Sequence, residues 1–199
     1  MTGQRKPQNP CPGCYLHQLR CICAHTPSIT LKTKLILVVH TKELKRTTNT
    51  GRLAVKALAN SEMRIRGEDR AGLDLTDLLS PSYRTLLFYP SEDAVELTRE
   101  FVEMSSLPIQ LIVPDGSWRQ AGKVHTRHPE LKDIPRIKIT TPNPATLHMR
   151  AETNEYGMAT LEAIAYALGI IEGPQVKDEL LAFYNKKLEG TLQGRGLLP

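Results

Sequence analysis

Past residue 23 the sequence contains no cysteine, which removes both disulfide bonding and a cysteine nucleophile from most of the chain. No stretch approaches the roughly 18 consecutive apolar residues of a membrane span. The run Leu35–Val39 has the length of a buried strand instead. The first ten residues carry Arg5 and Lys6 with no apolar segment behind them. They are therefore not a secretory signal, and the expected setting is the cytoplasm, away from membranes. Neither Gly-x-Gly-x-x-Gly nor Gly-x4-Gly-Lys-Ser/Thr occurs, which argues against an ordinary dinucleotide or nucleoside triphosphate site. The Gly-x-Ser-x-Gly nucleophile elbow is missing too, and with it the usual serine hydrolase chemistry. There is one tryptophan, Trp118, and there are no internal repeats or low-complexity tracts.

Acidic residues are scarce at one end only. Residues 1–66 hold 12 Lys and Arg against 2 Asp and Glu, whereas residues 67–199 hold 14 against 19. Such a concentration of positive charge can attract a polyanion to one region, although a solvated basic surface has the same composition. All four cysteines fall in a Cys11-x2-Cys14-x6-Cys21-x-Cys23 pattern, with Pro12-Gly13 supplying a tight turn. Four thiolates complete a tetrahedral zinc site. A redox role for the first pair leaves the second unexplained, and His17 or His25 can each replace a thiolate. Residues 1–30, rich in Pro, Cys and polar residues, are read as a zinc-binding N-terminal segment, and residues 31–199 as the core-forming domain.

From about Lys34 short apolar stretches alternate with amphipathic ones. The strands expected are Leu35–His40, Met63–Arg66, Leu86–Tyr89, Gln110–Val113 and Arg136–Ile139. The helices expected are Gly51–Ala59 capped by Thr50, Asp93–Met104 capped by Ser91, Trp118–Thr126, Leu161–Ile171 and Val176–Leu188. The tail from Gly190 is read as loosely packed or docked on a partner. The alternation predicts an α/β fold with a mostly parallel sheet and helices on both faces. Ligands in such sheets bind beyond the carboxyl ends of strands. Three junctions there carry polar groups: His40-Thr41-Lys42-Glu43 leading to Asn49-Thr50-Gly51-Arg52, Tyr89-Pro90-Ser91-Glu92-Asp93, and Pro114-Asp115-Gly116-Ser117-Trp118. Asp115 has two readings, a helix cap or a functional carboxylate. Trp118 likewise fills the core or lines a ligand site.

These blocks resemble the DTW-domain family, the tRNA-uridine aminocarboxypropyltransferases. The resemblance rests on five segments in order: Cys11–Cys23, His40-x2-Glu43 with Asn49-Thr50-Gly51-Arg52-Leu53, Tyr89-Pro90-Ser91-Glu92-Asp93-Ala94, Asp115-Gly116-Ser117-Trp118-Arg119-Gln120-Ala121, and Ala159-Thr160-Leu161-Glu162-Ala163. Ser117 stands where the family has threonine, which keeps the hydroxyl. Ala159 stands where serine is common, which does not. The resemblance implies a SPOUT-like, knotted α/β fold. It further implies transfer of the 3-amino-3-carboxypropyl group of S-adenosylmethionine to N3 of a tRNA uridine in the variable loop. Under that reading Asp115 is the general base, because uridine N3 must lose its proton to become nucleophilic. Tyr89, Pro90, Ser91, Val113, Asp115, Gly116, Ser117, Trp118 and Thr160 hold the donor. Lys42, Lys45, Arg46, Arg52, Arg119, Lys123 and Arg150 hold RNA, and Arg150 is alternatively a partner for the donor carboxylate. Glu43 and Glu92 are weaker catalytic candidates. The rival expectations are methyl transfer by the same fold, a non-catalytic zinc-stapled RNA-binding module, and a ribosomal RNA acceptor.

Overall fold

The structure, a computed structural model, describes residues 9–44, 46–67, 72–140, 149 and 157–198. In chain order it contains β1 (Lys34–His40), α1 (Thr41–Leu44), α2 (Gly51–Ala57), β2 (Ser61–Arg66), β3 (Arg84–Phe88), β4 (Val95–Glu96), α3 (Arg99–Glu103), β5 (Ile109–Asp115), α4 (Trp118–Ala121), α5 (Lys123–Arg127), β6 (Arg136–Lys138), α6 (Thr160–Ile171) and α7 (Pro174–Gln193). The strands form one six-stranded sheet in the order β2-β1-β5-β3-β6-β4. All five pairings are parallel. The expected α/β class is therefore the observed one.

Alternation along β1 explains the layers. Leu35, Leu37 and Val39 join the larger core, together with Leu111 and Val113 of β5 and the inner faces of α2, α6 and α7. Ile36 and Val38 point the other way, into a smaller core with Ile112, Leu75, Leu78, Val124 and Leu131. Both faces are covered, as a parallel sheet requires, but unequally. Among the described residues the second face has only α5 and two 3-10 turns, Thr76–Leu78 and Pro129–Leu131, in place of long helices. α6 forms because Leu161, Ile164, Ala165 and Leu168 fall on one helical face and are buried. Gly173, at φ 126°, breaks the path before Pro174 starts α7.

Several expected boundaries moved for identifiable reasons. The helix expected over Asp93–Met104 is instead the edge strand β4 followed by the short α3. Val95 and Glu96 pair with Ile137 and Lys138 of β6, and Thr98, not Ser91, caps α3 by accepting the Phe101 N–H at 3.2 Å. Sheet pairing and burial of Ala94 and Leu97 prevail over the local helical pattern. α2 stops at Ala57 because the backbone there pairs with the N-terminal segment: the Ile29 N–H donates to Ala57 O at 2.8 Å and the Ala59 N–H to Ile29 O at 2.9 Å. The expected Trp118–Thr126 helix divides at Gly122, where a Cβ would sit 2.6 Å from Tyr89 Oη. α7 runs on to Gln193 with Leu192 buried, so the start of the tail is docked on this chain, while Leu197 is exposed.

The N-terminal segment packs on the same core. Cys11, Cys14, Leu16 and Ile22 all belong to the larger cluster, and Gly190 of α7 leaves room for Leu16, whose Cδ1 lies 2.8 Å from a Cβ placed there. Among the described residues no helix is long and apolar enough to cross a membrane. Leu111, fully buried in β5, is expected to cost about 2–5 kcal/mol on truncation to alanine. The same truncation at exposed Met104 should stay within about 0.5 kcal/mol. Urea unfolding of both variants checks the placement of the core.

Candidate active site

Asp115 is the last residue of β5, level with Val39 of β1, where the sheet's order turns outward on both sides. It is 5% exposed. It does not cap the next helix: Ser117 is the residue preceding α4, and its N–H donates to Gln120 Oε1 at 2.8 Å. The Asp115 carboxylate is held from two sides instead. Asn49 Nδ2 donates to Oδ2 at 2.5 Å, and the Thr160 hydroxyl donates to Oδ1 at 2.6 Å. Gly51 is required for this packing, since a Cβ there would sit 2.8 Å from Oδ2. Thr50 completes the interlock by accepting the Leu161 N–H on its hydroxyl at 3.1 Å.

The carboxylate forms part of the wall of a cavity of about 920 Å³, a size suited to a drug-sized or larger ligand. Of the residues expected to hold a donor, Tyr89, Pro90, Val113, Asp115, Gly116, Ser117, Trp118 and Thr160 all line it. Ser91 follows Pro90 and does not line it; its buried hydroxyl has no hydrogen-bond partner among the described residues. Trp118 is 52% exposed, so the core-filling reading is wrong. It stands on the cavity rim, 6.4 Å and 57° from the Tyr89 ring, which itself lies 6.1 Å from the ring of His125. Residues that the sequence did not nominate also line the cavity: Asn49 and Thr50, Lys138 to Thr140 after β6, Met149, and Tyr184 of α7. The sequence signal for the first two was their place in the polar run after β1.

The expected RNA-binding residues are dispersed. Lys42 and Arg119 are exposed and Lys123 half-buried near the carboxyl ends of the strands. Arg46 pairs with buried Glu43 at 3.1 Å, which gives that acid a structural partner. Arg52 turns away from the cavity, with its guanidinium 4.0 Å over the Tyr15 ring. Lys45 and Arg150 lie outside the described residues. Glu92 is exposed on the surface.

The four cysteine sulfurs lie within 4.8 Å of one another and can hold a metal ion. No disulfide links them. Backbone N–H donation from Cys14 brings the Cys11 thiol down to about 6, while burial, and then the neighbouring thiols, push Cys23 up to about 12. Gly13 makes the crowding possible, since a Cβ would fall 2.6 Å from Cys23 Sγ. Lys187 of α7, 1% exposed, straps this segment to the site: its ammonium donates to Cys14 O at 2.8 Å and to Thr47 O at 3.0 Å. Burial pushes that ammonium down to about 8.

The chain is similar to known proteins over most of its length. The DTW domain family model matches residues 8–192. A curated relative from Drosophila melanogaster, "tRNA-uridine aminocarboxypropyltransferase 2", is 28% identical over 183 residues, which is 87% of this chain and 71% of that protein. The protein of the same name from Macaca fascicularis is 24% identical over 175 residues, 85% of this chain. This chain spans only 58% of the macaque protein's length. The solved structure of the SAM-dependent rRNA:acp-transferase Tsr3 from Vulcanisaeta distributa aligns at 20% identity with a TM-score of 0.45, covering 82% of this chain and 79% of that one.

The hydrogen bond from Thr160 gives a direct test of the interlock. Thr160→Val keeps the shape but removes the donor from a buried carboxylate, and should cost about 1–3 kcal/mol in urea unfolding. Thr160→Ser keeps the donor and should lie within about 0.5 kcal/mol of the parent. Equal stability of the two variants would contradict the observed pairing.

Proposed function

The chain belongs to the DTW domain family, and on that premise we propose that it transfers the 3-amino-3-carboxypropyl group of S-adenosylmethionine to N3 of a uridine in the tRNA variable loop. The observation that carries this reading is the placement of Asp115. A buried carboxylate, fixed by Asn49 and Thr160, lines a cavity at the carboxyl ends of β1, β5 and β3. The names of the curated relatives support aminocarboxypropyl transfer to a tRNA uridine. The setting proposed is the cytoplasm.

The chemistry follows from orientation and proton removal. The donor sulfonium makes three attached carbons electrophilic, and the one held in line with the nucleophile reacts. Uridine N3 forms the new bond to the methionine Cγ as the Cγ–S bond breaks, and the electron pair leaves with methylthioadenosine. The N3 proton passes to Asp115. Both carboxylate oxygens are anchored, so the group is fixed in place before the acceptor arrives. Tyr89 and Trp118 supply an aromatic wall at the rim, and Lys138 and Thr140 supply polar groups along the cavity. Methyl transfer by the same fold differs only in which carbon faces N3, and its by-product is S-adenosylhomocysteine.

We also propose zinc for the cysteine cluster. A tetrahedral site with Zn–S bonds of about 2.3 Å has sulfurs about 3.8 Å apart. The pairs Cys11–Cys21, Cys11–Cys23 and Cys14–Cys21 stand at 3.4, 3.6 and 3.9 Å. Cys11, Cys14, Cys21 and Cys23 would hold the ion, and its contribution is charge neutralisation that fixes the segment.

Incubation with S-adenosylmethionine and unmodified tRNA, followed by nucleoside mass spectrometry, should yield the aminocarboxypropyl uridine together with methylthioadenosine. S-adenosylhomocysteine as the by-product, or no modified uridine with folded protein, would sink the reading. Asp115→Asn should lower the single-turnover rate by about 10²-fold or more. For the cluster, purified protein should carry about one zinc per chain by elemental analysis. A strong chelator should remove it and lower Tm by several degrees, as expected when a bound ion that stabilises only the folded state is lost.

A further inference from the structure

Resting on the reading that the acceptor is RNA, we infer that the carboxyl ends of β1 and β2 form a binding site for a backbone phosphate of that RNA, built by His40, Arg66 and Arg127 with Lys42 at its rim. Arg66 and Arg127 were not nominated by the sequence pattern, and His40 entered only as the first residue of the polar run after β1. His40 and Arg66 are partners in the β1–β2 register, the last pair of the two strands. Arg66 is only 7% exposed, and its Nη1 donates to Gln120 O at 2.8 Å. That bond ties the guanidinium to the segment that follows Asp115. On the other side His40 touches the same segment: its Cβ lies 3.6 Å from a Cβ placed on Gly116.

The donors are arranged for an anion. The Lys42 N–H donates to His40 Nδ1 at 3.2 Å, so in the neutral ring the proton is on Nε2, which is left as a donor. Nε2 lies 3.3 Å from a Cβ placed on Gly67, whose φ is 78°. Glycine there keeps the approach to Nε2 open. Among the described residues no carboxylate lies within ion-pair distance of Arg66, Arg127 or Lys42. Glu43, the acid among the described residues whose charge acts on His40, is paired with Arg46.

The consequence is mutual repulsion. Burial, then Arg66 and Lys42, depress the His40 ring, and burial, then Arg127, depress Arg66. A buried guanidinium among like charges is costly until an anion arrives. A phosphodiester matches the fork of an arginine and accepts from several donors at once. Its source is set by position. The cluster adjoins the loop of Asp115, so a nucleotide whose base enters the cavity leaves its phosphates at this edge. Arg119 and Lys123 lie in α4 and α5, on either side of the Gln120 carbonyl that holds Arg66.

The test is fluorescence anisotropy of labelled unmodified tRNA across a salt series, with donor affinity measured separately by calorimetry. Arg127→Gln combined with Lys42→Gln should weaken tRNA binding about tenfold and reduce the slope of log K against log salt by about one to two. Donor affinity should be unchanged. Arg66→Gln should show the same loss, and Arg66→Lys an intermediate one. Should Arg66→Gln fail to fold, the surface pair and Arg66→Lys decide alone. Lys132→Gln, before β6 at the other end of the sheet, serves as the control. Wild-type slope and affinity in the surface pair would overturn the phosphate site while leaving the acceptor reading intact. No tRNA binding by the parent protein would remove both. Loss of inorganic phosphate binding with tRNA binding unaltered would assign the cluster to free phosphate and overturn the RNA role.

Discussion

Everything at the centre of this molecule is arranged around one buried carboxylate. Removing an ionised group from water costs several kcal/mol unless it is fully engaged, so Asp115 has to be met by donors wherever the chain can supply them. The chain supplies them from two distant places. Asn49 comes from the loop after β1, and Thr160 from the start of α6. Gly51 is the steric condition, because any side chain would collide with the carboxylate. The β1/β5 crevice is thus closed on one side by a hydrogen-bonded knot of residues, and the cavity opens on the other.

That constraint extends outward to the cysteine segment. Thr47, two residues before Asn49, is held by Lys187, and Lys187 is held in turn by the carbonyl of Cys14. Order in the four-sulfur cluster is therefore transmitted toward the loop that orients Asp115, through this ammonium and through Tyr15, whose hydroxyl donates to Leu44 O at 3.2 Å. A lysine buried to this degree is tolerable because its two carbonyl partners and the nearby thiol charges offset the desolvation. In this arrangement the cluster is a support for the site from a distance, not a participant in it.

The sequence was most legible where one local rule operated without competition. The alternating apolar strands, the parallel sheet, the cysteine cage and the Asp115 junction all followed from spacing and strand-end position. It was least legible where tertiary pairing overrode local pattern. The Asp93–Met104 segment has helical spacing, yet its first half becomes the edge strand β4 because β6 offers unpaired backbone there. Trp118 followed the same logic in reverse. A lone tryptophan is more often core, but this one begins a short helix whose buried side is taken by Ala121, leaving the ring at the rim. The grouping of His40 with Arg66 and Arg127 was invisible for a different reason. They are far apart in sequence, and only the β1–β2 register and the last turn of α5 bring their charges together.

The interlock also accounts for the alanine at position 159. A helix needs acceptors for its first N–H groups, normally from a serine or threonine at the residue before it. Ala159 has none to offer, and the end is buried against the cavity. Glu162 reaches back to accept the Ala159 N–H at 3.3 Å, and Thr50 accepts the Leu161 N–H from across the crevice. Helix α6 is thus capped in part from another element. Its first hydroxyl, that of Thr160, remains available for Asp115 because the cap is supplied from elsewhere. The run Asn49-Thr50-Gly51 therefore performs three tasks at consecutive positions: it bonds the carboxylate, caps the facing helix and leaves the space in which the two meet. A change at any one of them disturbs the other two, which is the physical reason to treat the run as part of the active site although none of its side chains need touch the reacting atoms.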